Sequence, residues 1–172
     1  KYLLEKSKEQ NLHLNITDVK IDHLLDYKKY NSCTVSTINI LNDSEREEFI
    51  LKNDIVISML PARLHMILAN SCLKLKRNLI TASYVSDQMK SIDQDVKNKS
   101  LIFLNEMGLD PGIDHMSAKK IIDKLKDNSC SIYSFKSFTG GLIAPESDNN
   151  SWNYKFTWNP RNVVLAGQGS PA

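Results

Sequence analysis

Side chains able to bind or move protons gather at the ends of apolar runs. Ser83 and Tyr84 lie near the end of NLITASYV (78–85), while Glu106 and Asp110 follow LIFLN (101–105). Hydroxyls and carboxylates in such places can orient a substrate and exchange protons with it. The turn Asp110-Pro111-Gly112 opens a helical pattern, and the free N–H groups of a helix start suit an anion. Taken alone, Asp110 reads more readily as a turn former or N-cap. Asp18 ends an earlier run, NLHLNITD (11–18). There it suits a hydrogen bond to the ribose 2′-OH of an adenine dinucleotide, with capping of the next helix as an equal alternative. Lys20 follows it, with no arginine nearby, which leans the expectation towards NAD over NADP.

His65 and His115 fall in the first turns of helical patterns at the same edge, but a lone histidine is more often structural, so the sequence promotes neither. Arg161 is one of four arginines against eighteen lysines. Its planar fork suits a substrate carboxylate; otherwise it is a solvated loop charge. Cys33, Cys72 and Cys130 have no paired spacing, so neither a disulfide frame nor a zinc site is suggested and no metal is expected. They read as small, mostly buried hydrophobes of a reducing, cytoplasmic compartment. The aromatics Trp152, Tyr154, Phe156 and Trp158 alternate with other residues, and without a basic groove they read as a packed sheet face or subunit interface.

The elements that must position these groups alternate short apolar runs with helical patterns, the signature of βα units around a parallel sheet. Strands are expected at 11–18, 34–41, 54–60, 78–85 and 101–105. Residues 1–10 read as the tail of a helix, 19–29 as a weak helix, and Ser44 with Glu47 as a capping box for a short helix to Leu51. Pro61 sits at the first turn of a helix carrying Leu64, Ile67, Leu68 and Cys72 inward. Ser86 caps a helix to about Lys97, and a last helix from Ile113 to about Lys126 turns Ile121, Ile122 and Leu125 inward. Beyond it, 132–138 and 154–158 read as strands. Open sheets of this kind bind ligands beyond the carboxyl ends of their strands, the edge where Ser83, Tyr84 and Asp110 lie.

At 172 residues, 41% hydrophobic and 24% charged, the composition excludes general disorder. Evenly spread lysines and a net charge of +2 give no nucleic-acid footprint, no apolar run is long enough for a membrane span, and no signal peptide opens the chain. No GxGxxG turn occurs; the chain opens inside a helical pattern and stops at GSPA (169–172). The expectation is a piece of a larger protein whose first strand and glycine turn precede Lys1. In the common strand order that strand is central, so its loss would leave a hole between neighbours.

Four blocks, DIVISMLP (54–61), TASYVS (81–86), NEMGLDPGIDH (105–115) and GGLIAPESDNNSWNYKFTWNPR (140–161), together resemble saccharopine dehydrogenase of the glutamate-forming type. The resemblance implies an α/β chain: a partial Rossmann-type, doubly wound parallel sheet over residues 1–110, then the start of a mixed-sheet substrate and dimerisation domain over 111–172. It implies a homodimer as the full-length protein, an NAD or NADP cofactor and an amino-acid substrate. Saccharopine, a secondary amine, would lose a hydride to the nicotinamide, and the resulting imine would hydrolyse to L-glutamate and α-aminoadipate 6-semialdehyde.

By matching position, the resemblance implies cofactor contacts at Ser58, Met59, Ala82, Ser83, Leu109, Asp110, Pro111 and Asn159. Ser83 and Tyr84 lie between cofactor and substrate, and Tyr84 and Asp110 orient the substrate amine or the hydrolytic water. Arg161 falls beside them in the substrate set. Thr139 stands where fungal members carry a cysteine, so no thiol chemistry is expected. Ile16-Thr17-Asp18 replaces a fungal strand ending in arginine, which again leans towards NAD. The alternatives are a carboxynorspermidine-type dehydrogenase, which the GGLIAPESDN block argues against, and a cofactor-binding module without activity.

Overall fold

Runs carrying β-branched residues form the strands β1 (Leu14–Asp18), β2 (Cys33–Thr37), β3 (Ile55–Ser58) and β4 (Asn78–Thr81), and the apolar pair Phe103–Leu104 forms β5. The helices are α1 (Tyr2–Lys6), α2 (Asp43–Leu51), α3 (His65–Leu75), α4 (Asp87–Ser91), α5 (Asp93–Asn98) and α6 (Ile113–Asp127). The structure, a computed structural model, describes residues 1–138 and 143–155. The chain divides into two units, Lys1–Asp127 and Asn128–Ala172. Every element named above belongs to the first. The mixed α/β build with parallel sheets is the one the sequence leads us to expect.

β1 pairs with β2, and β3, β4 and β5 form a second sheet, every pairing parallel. Among the described residues no ladder joins β1 to β3; a side-chain bond from Asn15 Nδ2 to Asn53 Oδ1, 2.8 Å long, spans the interval. Register sets Val56 beside Leu79 beside Phe103, and Ser58 beside Thr81. Helix α3 covers that face, giving a core of Ile50, Val56, Leu68, Ala69, Cys72, Leu79 and Met89. On the opposite face Ile55 and Ile57 are 53% and 50% exposed, so the apolar run of β3 is buried on one side only.

Arg46 of α2 is buried, and each of its three guanidinium nitrogens is bonded. Its Nε donates to Ser71 Oγ of α3 (2.9 Å), Nη1 to Ile40 O (2.7 Å) and Nη2 to Asp43 Oδ1 (2.7 Å). This guanidinium ties α2, α3 and the exit of β2 together through charge-assisted bonds. Burial also pushes the Cys72 thiol up to about 12, and Cys33 is buried, whereas Cys130 is exposed rather than buried as expected.

Several local expectations shift. The cap lies two residues upstream and is no capping box: Asn42 Oδ1 accepts from the N–H groups of Ser44 and Glu45, and Asn42 Nδ2 donates to Glu45 Oε1. Glu47 pairs with Lys74 instead, at 2.7 Å. The stretch Asp22–Lys29 is a 3-10 helix, and the helix after the Ser86 cap breaks at Ile92 into α4 and α5. Helix α6 keeps its apolar stripe without fully burying any of it: Ile121 and Leu125 are exposed and Ile122 is half-buried. In the second unit, residues 132–138 form no strand, and neither do Tyr154 and Lys155; residues 156–158 of that expected strand lie outside the described residues. A period-2 pattern supplies a face, but a strand also needs a partner edge. No helix among the described residues is long and apolar enough to cross a membrane.

These burials predict unequal losses on truncation. Leu79→Ala, in the core at the centre of the sheet, should cost about 2–5 kcal/mol, and Ile57→Ala, on the open face, less than about 1 kcal/mol. Denaturant unfolding of the two variants measures both, and equal losses would contradict the one-sided core.

Candidate functional site

Beyond the short β5, the chain stays fastened to the end of β4. Met107 N donates to Thr81 O and Glu106 N to Ser83 O, each at 3.0 Å. Thr81 Oγ1 donates to Asn105 Oδ1 (3.1 Å), and Val85 N to Glu106 Oε1 (3.1 Å). The loop then closes on itself, Gly108 N donating to Pro111 O and Ile113 N to Gly108 O, both at 2.9 Å. Glycine is required at 112, where φ is +146° and a Cβ would run into the backbone of Gly108 and Glu106. At Gly108 a Cβ would lie 3.2 Å from the Ala82 Cβ, so a side chain there would require the loop or Ala82 to give by a few tenths of an ångström.

This fastening brings Tyr84 to Asp110, whose Oδ1 accepts the phenolic hydroxyl at 3.3 Å, long for an O–H···O bond. Partial desolvation, then the Asp110 carboxylate, with Asp114 and Glu106 adding to it, push the Tyr84 phenol above its ordinary 10. Tyr84 remains 63% exposed, so both groups stand open to a ligand. Ser83 is half-buried and Pro111 buried; Met59, just past β3, is 82% exposed, and Leu109, in the loop beyond β5, is exposed too. Ser58, Met59, Ala82, Ser83, Tyr84, Leu109, Asp110 and Pro111 thus lie at one carboxyl edge of the β3–β4–β5 sheet. Exposed apolar side chains beside hydroxyls and a carboxylate are a lining that fits a flat, carboxamide-bearing ring such as nicotinamide.

Asp18 stands on the other sheet. Its Oδ1 accepts from Val19 N at 2.6 Å and from Lys20 N at 3.4 Å, and His23 lies 3.8 Å from Oδ2. These contacts tie Asp18 into the turn that follows β1; the next helix, Asp22–Lys29, starts from Ile21 with no side-chain cap. Asn159, Arg161 and Thr139 lie outside the described residues. Asp110, Asp114 and His115 bring ligand-type atoms within 4.8 Å of one another. Asp114 Oδ1 is already bonded to Gly112 N (2.9 Å) and His115 Nδ1 (2.7 Å), which accounts for the cluster as the start of α6.

Sequence reasoning passed over one member. His65, at the first residue of α3, is buried between two serines: Ser58 Oγ lies 2.8 Å from Nδ1 and Ser83 Oγ 2.8 Å from Nε2. Burial holds its imidazole below the ordinary 6.5. The signal was present in the sequence as a serine ending the preceding strand, seven residues upstream.

A family model described as the saccharopine dehydrogenase NADP binding domain matches residues 3–104, and one described as the saccharopine dehydrogenase C-terminal domain matches 108–172. The mitochondrial alpha-aminoadipic semialdehyde synthase of Rattus norvegicus is 40% identical over 80% of this chain and 15% of its own length. Saccharopine dehydrogenase [NADP(+), L-glutamate-forming] of Pyricularia oryzae is 39% identical over 77% of this chain and 30% of its own length. The apo saccharopine dehydrogenase (L-Glu forming) of Saccharomyces cerevisiae superposes with a TM-score of 0.77 at 29% identity, covering 96% of this chain and 37% of that one. The chain therefore spans well under half the length of these relatives.

Two titrations follow from the geometry. Asp110→Asn removes a negative neighbour, so ultraviolet titration should show the Tyr84 phenol moving down towards 10; an unchanged phenol would contradict the contact. For His65, the folded pKa is depressed, so below the ordinary 6.5 the unfolded chain binds more protons than the folded one. Stability should be complete above that pH and fall below it, and His65→Gln should flatten the slope measured by unfolding at several pH values.

Proposed function

This chain belongs to the saccharopine dehydrogenase family, and on that premise we propose that the protein interconverts L-saccharopine with L-glutamate and L-2-aminoadipate 6-semialdehyde, using a nicotinamide cofactor. The observation that carries the reading is the meeting of Tyr84 and Asp110 at the sheet edge, fastened there by the bonds between 81–85 and 105–107. The bound cofactor supplies the hydride acceptor. The chain's own residues hold the amine and the water: Asp110 accepts a hydrogen bond from the substrate ammonium or the hydrolytic water, and the Tyr84 hydroxyl keeps that carboxylate oriented. The high phenol pKa keeps Tyr84 a donor at neutral pH. Ser83 adds a hydroxyl between cofactor and substrate, and Met59 and Leu109 give the ring apolar contact. Arg161 pairs with a substrate carboxylate and Asn159 contacts the cofactor in this proposal, which rests there on the matched block alone.

NADP is the cofactor we propose. The leaning towards NAD drawn from Asp18 finds no support in the comparisons: the matched domain is described as NADP binding, and the Pyricularia relative is named for NADP(+). The Asp18 carboxylate is, besides, engaged with its own turn. The comparisons favour the saccharopine type over the carboxynorspermidine type. The proposal keeps a cofactor domain over 1–110 and a substrate domain from 111, since the two family models meet between residues 104 and 108. A homodimer is retained on the family resemblance, and a reducing, cytoplasmic location on the free cysteines.

The test is cofactor reduction by the intact protein, followed by absorbance with L-saccharopine and either NADP⁺ or NAD⁺. Saccharopine-dependent reduction should appear and be faster with NADP⁺. Asp110→Asn should lower kcat/KM by about 10²–10⁴-fold and Tyr84→Phe by less. Cofactor binding without saccharopine turnover would replace this reading with that of a binding module, and a preference for NAD⁺ abolished by Asp18→Ala would restore the Asp18 argument.

A further inference from the structure

The buried imidazole between Ser58 and Ser83 decides which way the Ser83 hydroxyl points its proton. A neutral imidazole donates from one nitrogen and accepts at the other, so the two bonds are coupled. Either Ser58 donates to Nδ1 and Nε2–H donates to Ser83, or Nδ1–H donates to Ser58 and Ser83 donates to Nε2. In the first arrangement the Ser83 proton is free for a ligand at the carboxyl edge; in the second it is consumed and Ser83 can only accept.

Burial chooses between them. Ser58 is 2% exposed, and among the described residues Nδ1 of His65 is its hydroxyl's hydrogen-bond partner. If Nδ1 donated, the Ser58 proton would be buried without an acceptor, which costs more than leaving a lone pair unused. Ser58 therefore donates, Nδ1 accepts, and Nε2–H donates to Ser83. The depressed imidazole pKa keeps the ring in the neutral form this requires. The Ser83 main chain is held independently by Glu106 N, so the imidazole acts on the hydroxyl and not on the strand.

We propose that His65 is a positioning residue that fixes Ser83 as a hydrogen-bond donor at the carboxyl edge of the sheet, towards an acceptor oxygen such as the nicotinamide carboxamide or a substrate carboxylate. This rests on the saccharopine dehydrogenase reading of the site. It makes Ser83 the end of a relay that begins at a buried serine on β3, and it gives His65 a role in turnover without contact with substrate.

The test combines nitrogen-15 NMR of the histidine side chains with kinetics of the intact protein. His65, assigned by its loss in His65→Gln, should be the neutral Nε2-protonated tautomer; an Nδ1-protonated ring overturns the proposal. Ser83→Ala and His65→Phe should each lower kcat/KM by about ten- to a hundredfold, and the double variant should be no worse than Ser83→Ala alone. His65→Gln, whose amide nitrogen can take the place of Nε2, should recover most of the loss. Additive losses, or a Gln variant as poor as Phe, would mean that His65 serves packing only. If His65→Phe does not fold, Ser58→Ala replaces it: removing the far donor should mix the His65 tautomers and lower kcat/KM, and an unchanged tautomer would overturn the proposal. A wild-type protein inert to saccharopine but carrying the Nε2 tautomer would sink the functional reading and leave the polarity of Ser83 standing.

Discussion

The pairing of β4 with β5 is continued by bonds that belong to no regular strand, and the candidate site depends on that continuation. β5 itself offers only Phe103 and Leu104. Past it, the bonds from Met107 to Thr81 and from Glu106 to Ser83 hold two irregular segments side by side, and the Glu106 carboxylate adds a third tie to Val85 N. Loops placed this way act as rigid extensions of the sheet, so groups distant in sequence keep a fixed separation. Tyr84 and Asp110 are 26 residues apart and meet for this reason. The close approach at Gly108 and the conformation at Gly112 belong to the same constraint, since a side chain at 112 would move the loop that presents Asp110 and one at 108 would need that loop or Ala82 to give way.

How much of this was legible in the sequence follows from which interactions are local. The strands could be read because parallel strands carry dense apolar runs, and the carboxyl edge could be read because hydroxyl and carboxylate residues follow the strand ends at Ser58, Thr81 and Leu104. The Ser86 cap was legible because its bond spans three residues. The strand pattern put Tyr84 and Asp110 at one edge and the resemblance gave them a shared task, but their contact was legible from neither. The His65 relay needs two strands and a helix in register, which no local pattern encodes. Arg46 shows the same limit more sharply: its pattern is that of an exposed helical cation, and only the packing of α2 on α3 makes it a buried clamp.

Periodicity proves to be a statement about need rather than outcome. The stripe of α6 and the outer face of β3 both carry residues suited to burial, and both stand largely in solvent among the described residues. The capping residue before α2 makes a related point. Ser44–Glu47 and Asn42–Glu45 both satisfy the spacing, and the choice falls to Asn42 because Glu45 also accepts from Asn39 N, anchoring the approach to the helix.

The cysteines give the chain a built-in reporter of its own breathing. Cys130 is exposed, Cys33 is covered, and Cys72 lies at the centre of the core with its thiol held protonated far above neutral pH. Alkylation by a soluble maleimide needs both access and thiolate, so the thiols should be consumed in order of how far the chain must open to release them. Labelling of Cys72 then clocks the parting of α3 from its sheet, an event that would also release His65 from its serines, because both residues ride on that one helix.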